Sequence, residues 1–138
     1  MDHREFRDSL RGKKVLVVGM GKSGKAAVDV LIECGADVYA QDSKEAGKID
    51  KDLLSHLEAS GAGTYFGCLP DDMSVFDMLV LSPGVPTELD FIRAAADAGA
   101  EITGELELAY RLTPARFAAI TGTNGKTTTT TLTGEIFK

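Results

Sequence analysis

Residues 15–24, Val-Leu-Val-Val-Gly-Met-Gly-Lys-Ser-Gly, constrain the fold more than any other stretch of the chain. Four consecutive apolar residues, three of them valine, read as a strand buried on both faces, as in a parallel sheet covered by helices. The spacing Gly19-x-Gly21-x-x-Gly24 that follows opens a helix directly after the strand. In such a turn Gly19 permits a sharp change of direction. Gly21 lets backbone approach an anion with no Cβ in the way, and Gly24 lets the helix lie close on the strand. The free N–H groups of the first helical turn then face a phosphate. A tight turn without a ligand has the same spacing, so context has to decide.

Part of that context lies 18 residues past Gly24, where residues 37–41 read as a second strand ending at Asp42. An acid at about this distance sits at the tip of the second strand of a nucleotide-binding βαβ unit, within reach of a ribose or a base. Between the two strands Ala26, Ala27, Val30, Leu31 and Cys34 share one helical face, and Gly35 supplies the left-handed residue that ends a helix. The same grammar recurs: Cys-Gly-Ala-Asp-Val-Tyr at 34–39, Ser-Gly-Ala-Gly-Thr-Tyr at 60–65 and Ala-Gly-Ala-Glu-Ile-Thr at 98–103 each read as helix end, Gly-Ala, strand. Helices are expected ahead of the second copy around Leu53, Leu54 and Leu57, and ahead of the third over 91–97. Alternating helices and strands predict an α/β fold, a Rossmann-like parallel sheet with helices on both faces.

Residues 78–81 are a further apolar strand, broken by Ser82-Pro83-Gly84-Val85-Pro86, since proline cannot continue a ladder. This loop leaves the carboxyl end of its strand, the edge where ligands of open α/β sheets bind. Ser82, Pro83 and Gly84 are therefore expected to face the same crevice as Gly21 to Gly24. A ligand-free turn is the alternative.

Composition narrows the class. With 138 residues, 43% of them hydrophobic, the chain can bury a real core. The charged start carries no apolar run of signal or membrane length, so a cytoplasmic protein without membrane contact is expected. A net charge of −6 argues against nucleic acid as partner, so any phosphate has to be gripped locally. Cys34, Cys68, His3 and His56 form no metal-ligand spacing. Both cysteines read as reduced thiols, and His56 as a helix-surface residue. Residues 1–10 read as a short leading helix or an arm, with Phe6 and Leu10 four apart.

After a short helix over 105–112, Thr113-Pro114 interrupts and marks a domain boundary, dividing the chain into 1–113 and 114–138. Residues 117–120 read as a new strand, followed by Gly122, Thr123, Asn124, Gly125, Lys126, Thr127 and Thr128 and a helical stretch to Lys138. This is a second phosphate loop. Its glycines expose N–H groups, Lys126 reaches outer phosphates as a point charge, and the Thr127 hydroxyl is a Mg²⁺ ligand. The spacing departs from Gly-x-x-x-x-Gly-Lys-Thr, because Ile120 stands where the first glycine would be.

Taken together, these motifs resemble the Mur ligases. The loop over 122–128 is similar to the family's ATP loop. The stretch 19–24, Asp42, the stretch 82–86 and Gly104-Glu-Leu-Glu-Leu108 resemble the first domain of its D-glutamate-adding members. The L-alanine-adding ligases usually carry His at the position of Asn124. The resemblance implies an ATP- and Mg²⁺-dependent amide ligase acting on UDP-N-acetylmuramoyl-L-alanine and D-glutamate in peptidoglycan synthesis. The carboxylate of the nucleotide sugar is phosphorylated, and the amine of D-glutamate attacks the acyl phosphate. It further implies that Gly21, Lys22, Ser23 and Gly24 hold the UDP diphosphate, Asp42 and Ser43 the uridine, and Ser82, Pro83 and Gly84 the rest of the crevice. Lys126 and Thr127 would then be the catalytic groups, serving ATP and Mg²⁺.

Family members are three-domain enzymes several-fold longer. The resemblance therefore implies that 114–138 opens a truncated ATPase domain. The remaining metal ligands and the D-glutamate site are expected elsewhere, and these residues alone are not expected to complete the reaction. The whole enzyme is expected to be a monomer, whereas this chain is expected to self-associate through 117–138, whose apolar groups lack partners. Two rivals remain at this point: an NAD(P)-dependent oxidoreductase, suggested by the first glycine loop with Asp42, and a non-enzymatic UDP-sensing module.

Overall fold

The apolar run after Lys13 becomes the middle of a sheet. In the computed structural model, which describes residues 2–137, the elements are α1 (His3–Ser9), β1 (Lys14–Val18), α2 (Lys22–Glu33), β2 (Asp37–Asp42), α3 (Lys51–Ser60), β3 (Gly63–Phe66), β4 (Met78–Leu81), α4 (Asp90–Asp97), β5 (Glu101–Gly104), α5 (Glu105–Leu112) and α6 (Lys126–Ile136). Among the described residues five strands pair in the order β3-β2-β1-β4-β5, each neighbour parallel. The chain winds from β1 outward to β3, then crosses back to β4 beside β1. The carboxyl ends of β1 and β4 therefore flank a switch point.

Period-two alternation assigns β1 to two cores. Val15 and Val17 face α2 through Val28 and Leu31, α5 through Leu108 and α1 through Phe6. Leu16 and Val18 join Leu79 and Leu81 against Ile92 and Ala95 of α4. The helix after the glycine turn buries Ala27, Leu31 and Cys34 of its expected face, together with Val28, but leaves Ala26 exposed and Val30 half-buried. The three Gly-Ala repeats are three helix-ending motifs. Gly35, Gly61 and Gly99 take φ of 81°, 79° and 100°. The alanine after each donates to a carbonyl five residues back, Ala36 to Leu31, Ala62 to Leu57 and Ala100 to Ala95. Each then releases the chain into β2, β3 or β5.

The leading segment is a helix packed on the domain rather than an arm. Asp2 caps it, accepting from the N–H groups of Arg4 and Glu5, while Glu5 returns a carboxylate to the Asp2 N–H. Phe6 and Leu10 are buried, and the Arg111 guanidinium of α5 lies 3.7 Å over the Phe6 ring. His56 is more than a surface residue: its Nε2 meets Asp29 Oδ1 at 2.5 Å and ties α3 to α2.

One expected element does not form. Residues 117–120 carry no strand, and residues 113–125 as a whole lie outside helix and sheet. An apolar segment becomes a buried strand only when a neighbour offers ladder partners. None of the five strands pairs with it among the described residues. Phe117 instead sets its ring edge-on to Tyr110, with centroids 5.2 Å apart. α6 ends at Ile136, and Lys138 lies outside the described residues. Within α6 the hydroxyls of Thr130, Thr131 and Thr133 each donate to the carbonyl four residues back.

Candidate functional site

The first glycine loop is held by close packing and by hydrogen bonds from both sides. Gly19 has a φ of 94°, and a Cβ there would stand 2.8 Å from the Cβ of Ser82. A Cβ on Gly24 would stand 2.1 Å from the Gly19 carbonyl oxygen, so the third glycine is needed for helix-on-strand contact. Gly21 differs. It is the residue before the first turn of α2, with φ −80° and no side-chain cap, and a Cβ there would meet nothing within 4 Å. No protein atom requires glycine at position 21, and the space beside it is free for a ligand.

On the β2 side, the Gly19 N–H donates to the Gln41 carbonyl at 2.8 Å and the Met20 N–H to Asp42 Oδ2 at 2.9 Å. The other Asp42 oxygen accepts from the Lys44 N–H at 2.9 Å. On the β4 side, the Ser82 N–H donates to the Val18 carbonyl at 3.0 Å, and Ser82 Oγ lies 3.0 Å from the Gly19 carbonyl. The same Oγ meets Glu105 Oε1 at 2.5 Å.

Three hollows open around the start of α2. Asp42 and Ser43 face Gly84 and Val85 across a crevice of about 240 Å³ floored by Gly19 and Gln41, with Phe91 and Leu89 at its apolar side. Gly21 and Lys22 open onto a second hollow of about 270 Å³, shared with Lys25 and the acids Asp50 and Asp52. Ser23 lies at a third, an apolar groove of about 410 Å³ between α2 and α5, with Glu105 and Leu108 opposite. Gly19 of the first loop and Gly84 of the second line one crevice with Asp42, and the hollows at Gly21 and Ser23 open beside it. Gly84 joins Asp42, the Ser82 side chain turns inward onto Gly19 and Glu105, and Pro83 is exposed beside them.

Gln41, Lys25, Phe91 and Glu105 were not expected at the site. Gln41 is buried and its Nε2 donates to the Cys68 carbonyl at 3.2 Å, stiffening the crevice floor. Glu105 had a signal in the stretch Gly104-Glu-Leu-Glu-Leu108, though nothing in the pattern gave it a partner.

In the second loop Gly122 and Gly125 take φ of 150° and 76°, and Gly125 leads into α6. Lys126 Nζ donates to the Gly122 carbonyl at 2.6 Å, so its ammonium closes over the loop, and Thr127 is exposed at the first turn. Among the described residues no three His, Cys, Asp or Glu side chains group as a metal centre. The candidate site thus brings together a helix start with no side-chain cap, a lysine and a carboxylate at a strand tip.

The family model for the Mur ligase MurD-like N-terminal domain matches residues 13–104. The chain belongs to that family. Curated relatives extend the likeness beyond the matched domain. The UDP-N-acetylmuramoylalanine–D-glutamate ligase of Lachnoclostridium phytofermentans is 47% identical over 130 residues, 92% of this chain and 28% of the relative. That of Thermoanaerobacter pseudethanolicus is 46% identical over 130 residues, 94% and 28%, and that of Clostridioides difficile 45% over 130 residues, 93% and 29%. The chain thus spans about 28% of the length of the curated relatives it matches. Among solved structures, a pseudomurein peptide ligase type C from Methanothermus fervidus superposes with a TM-score of 0.59 at 25% identity, covering 86% of this chain and 24% of that one. The MurD-like domain contains the first glycine loop, Asp42 and the Ser82 loop, and its match ends just before α5.

Proposed function

We propose that this MurD-like chain is the nucleotide-sugar-binding end of an ATP-dependent ligase that joins D-glutamate to UDP-N-acetylmuramoyl-L-alanine in the cytoplasm. The observation that carries the reading is the Gly19–Gly24 loop clamped at a switch point by Asp42 and Ser82, in a chain 45–47% identical to curated UDP-N-acetylmuramoylalanine–D-glutamate ligases. The N–H groups of Lys22, Ser23 and Gly24, with the Lys22 ammonium, would take the diphosphate. Gly21 gives it room. Asp42 and Ser43 would take the uridine in the crevice they share with Gly84. Ser82 and Pro83 would shape that wall rather than touch the ligand.

Residues 114–138 would open the ATP-binding domain. The donor set of the second loop fits a nucleotide phosphate: Gly122, Thr123, Asn124 and Gly125 form the turn, Lys126 brings the charge, and Thr127 and Thr128 begin the helix. For Mg²⁺ the chain offers the Thr127 hydroxyl, so the ion would be held mainly by phosphate oxygens and groups outside these residues. Its chemistry there would be neutralisation of charge on the transferred phosphoryl group.

The second loop and family membership support this reading over a dinucleotide oxidoreductase, which needs no such loop. Titration calorimetry decides between them. Heat with UDP-N-acetylmuramoyl-L-alanine and none with NAD or NADP is expected; the reverse pattern overturns the proposal.

A further inference from the structure

The function proposed above gives no task to Glu105, the first residue of α5. Its Oε1 stands 2.5 Å from Ser82 Oγ, while that Oγ is also 3.0 Å from the Gly19 carbonyl oxygen. A serine hydroxyl has one proton, and both neighbours are acceptors. The carboxylate makes the shorter contact, so the proton belongs mainly to a charge-assisted bond to Glu105, and the Ser82 side chain is held from above by α5.

Below it the fit is tight. Ser82 fills the space that a Cβ on Gly19 would need, and the Gly19 carbonyl in turn fills the space that a Cβ on Gly24 would need. Contact therefore runs without a gap from α5 through β4 and β1 to the first turn of α2. Gly19 and Gly84, which both line the Asp42 crevice, are joined through Ser82, whose carbonyl accepts the Val85 N–H at 2.9 Å. α5 is a firm support, because Arg111 lies over Phe6 and also pairs with Glu101.

We propose that Glu105 is a positioning residue of the nucleotide crevice. By holding the Ser82 side chain packed against Gly19 it fixes the spacing of the two loops that line the site. This rests on the reading of that crevice as a UDP-sugar site. It makes Ser82 a brace, and it explains why an acid begins the helix.

A double-substitution cycle on the 138-residue chain tests the proposal, with calorimetric affinity for UDP-N-acetylmuramoyl-L-alanine as one readout. Ser82→Ala and Glu105→Ala should each weaken binding about three- to tenfold, and the double variant should be no weaker than the worse single. Glu105→Gln, whose amide oxygen accepts the same bond, should stay within about twofold. Glu107→Ala removes an exposed acid from the same helical turn and should change nothing. A second readout needs no ligand: in Glu105→Ala, amide exchange at Ser82 and Val85 should rise while that of Val15 to Val17 does not. Additive losses, a Glu105→Gln variant as weak as Glu105→Ala, or unchanged exchange overturn the proposal alone. No binding by the unsubstituted chain overturns the functional reading and the proposal with it.

Discussion

Met20 and Asp42 lie 22 residues apart, and Asp42 Oδ2 accepts the Met20 backbone N–H at 2.9 Å. With its other oxygen on the Lys44 N–H, the carboxylate at the tip of β2 is committed to the backbone of both loops beside it before any ligand arrives. Each oxygen keeps a lone pair, so a ribose hydroxyl can still donate to it. The acid that marks a nucleotide site in the sequence thus also holds the glycine loop in place.

Asp42→Ala should therefore lower stability as well as affinity. Losing two charge-assisted bonds to a half-buried carboxylate is expected to cost about 1.5–3 kcal/mol in urea unfolding. Asp42→Asn, with one carbonyl oxygen in place of two, should fall between. If Asp42→Ala unfolds like the unsubstituted chain while losing only affinity, the carboxylate serves the ligand alone.

Two glycines of one loop should fail in different ways. Gly24→Ala places a methyl 2.1 Å from a backbone carbonyl that cannot step aside, and should destabilise by more than about 2 kcal/mol. Gly21→Ala meets no atom, so thermal unfolding should move little, with a cost under about 1 kcal/mol at this capping position. Its affinity for the nucleotide sugar should nevertheless drop further than that of Ser23→Ala, which removes one hydrogen bond worth about 1 kcal/mol. Equal affinity losses at 21 and 23 would mean that this loop does not hold a diphosphate.

Much of the architecture was legible because local rules and long-range packing agree. The valines of β1, the three Gly-Ala helix ends and Asp42 at a strand tip each encode their conformation within a few residues. Three features were not legible. The inward turn of Ser82 depends on Glu105, 23 residues away, which sequence spacing does not bring near. The hollows beside Gly21, Asp42 and Ser23 are lined in part by side chains of α3, α4 and α5, which are distant in sequence. The strand expected at 117–120 was read from apolar content alone, which is an incomplete instruction where no neighbour offers a ladder.

The two cysteines should be told apart by alkylation. Burial at the end of α2 pushes the Cys34 thiol up from its ordinary value, and the nearby positive charge of Arg7 offsets only part of this. Cys68 is exposed. At pH 8 one thiol should react quickly with a disulfide reagent, and Cys68→Ser should abolish that phase while Cys34→Ser leaves it intact. Two fast equivalents would place Cys34 in contact with solvent.

Acid should loosen the start of α1. The N–H groups of Glu5 and then Arg4 bind the Asp2 carboxylate and hold it below its ordinary range. A lowered folded-state value means that this contribution is present above the unfolded value and is lost as pH falls through the folded one. Below about pH 4 the cap should weaken, and amide exchange at Phe6, whose N–H donates to the Asp2 carbonyl, should speed up relative to β1. Asp2→Asn, which still caps without titrating at that position, should weaken that pH dependence.

The segment after Thr113 lies outside both cores. The two cores draw on residues from Phe6 to Leu112, and the ring contact between Phe117 and Tyr110 is the aromatic link recorded from the segment back to the domain. Ending the chain at Thr113 should thus leave unfolding of the sheet and nucleotide-sugar affinity nearly unchanged. α6 and the residue that caps it, by contrast, expose Leu132, Ile136 and Phe137 at 60%, 80% and 81%. The hydroxyls of Thr130, Thr131 and Thr133 bond within the helix and cover none of that stripe. Apolar surface of this kind favours contact with a second copy over water. In light scattering the 138-residue chain should therefore run larger than a monomer at high concentration, and the shortened chain as a monomer. Equal monomeric masses for both, together with ATP binding by the longer one, would mean that α6 is held in a competent phosphate loop without a partner.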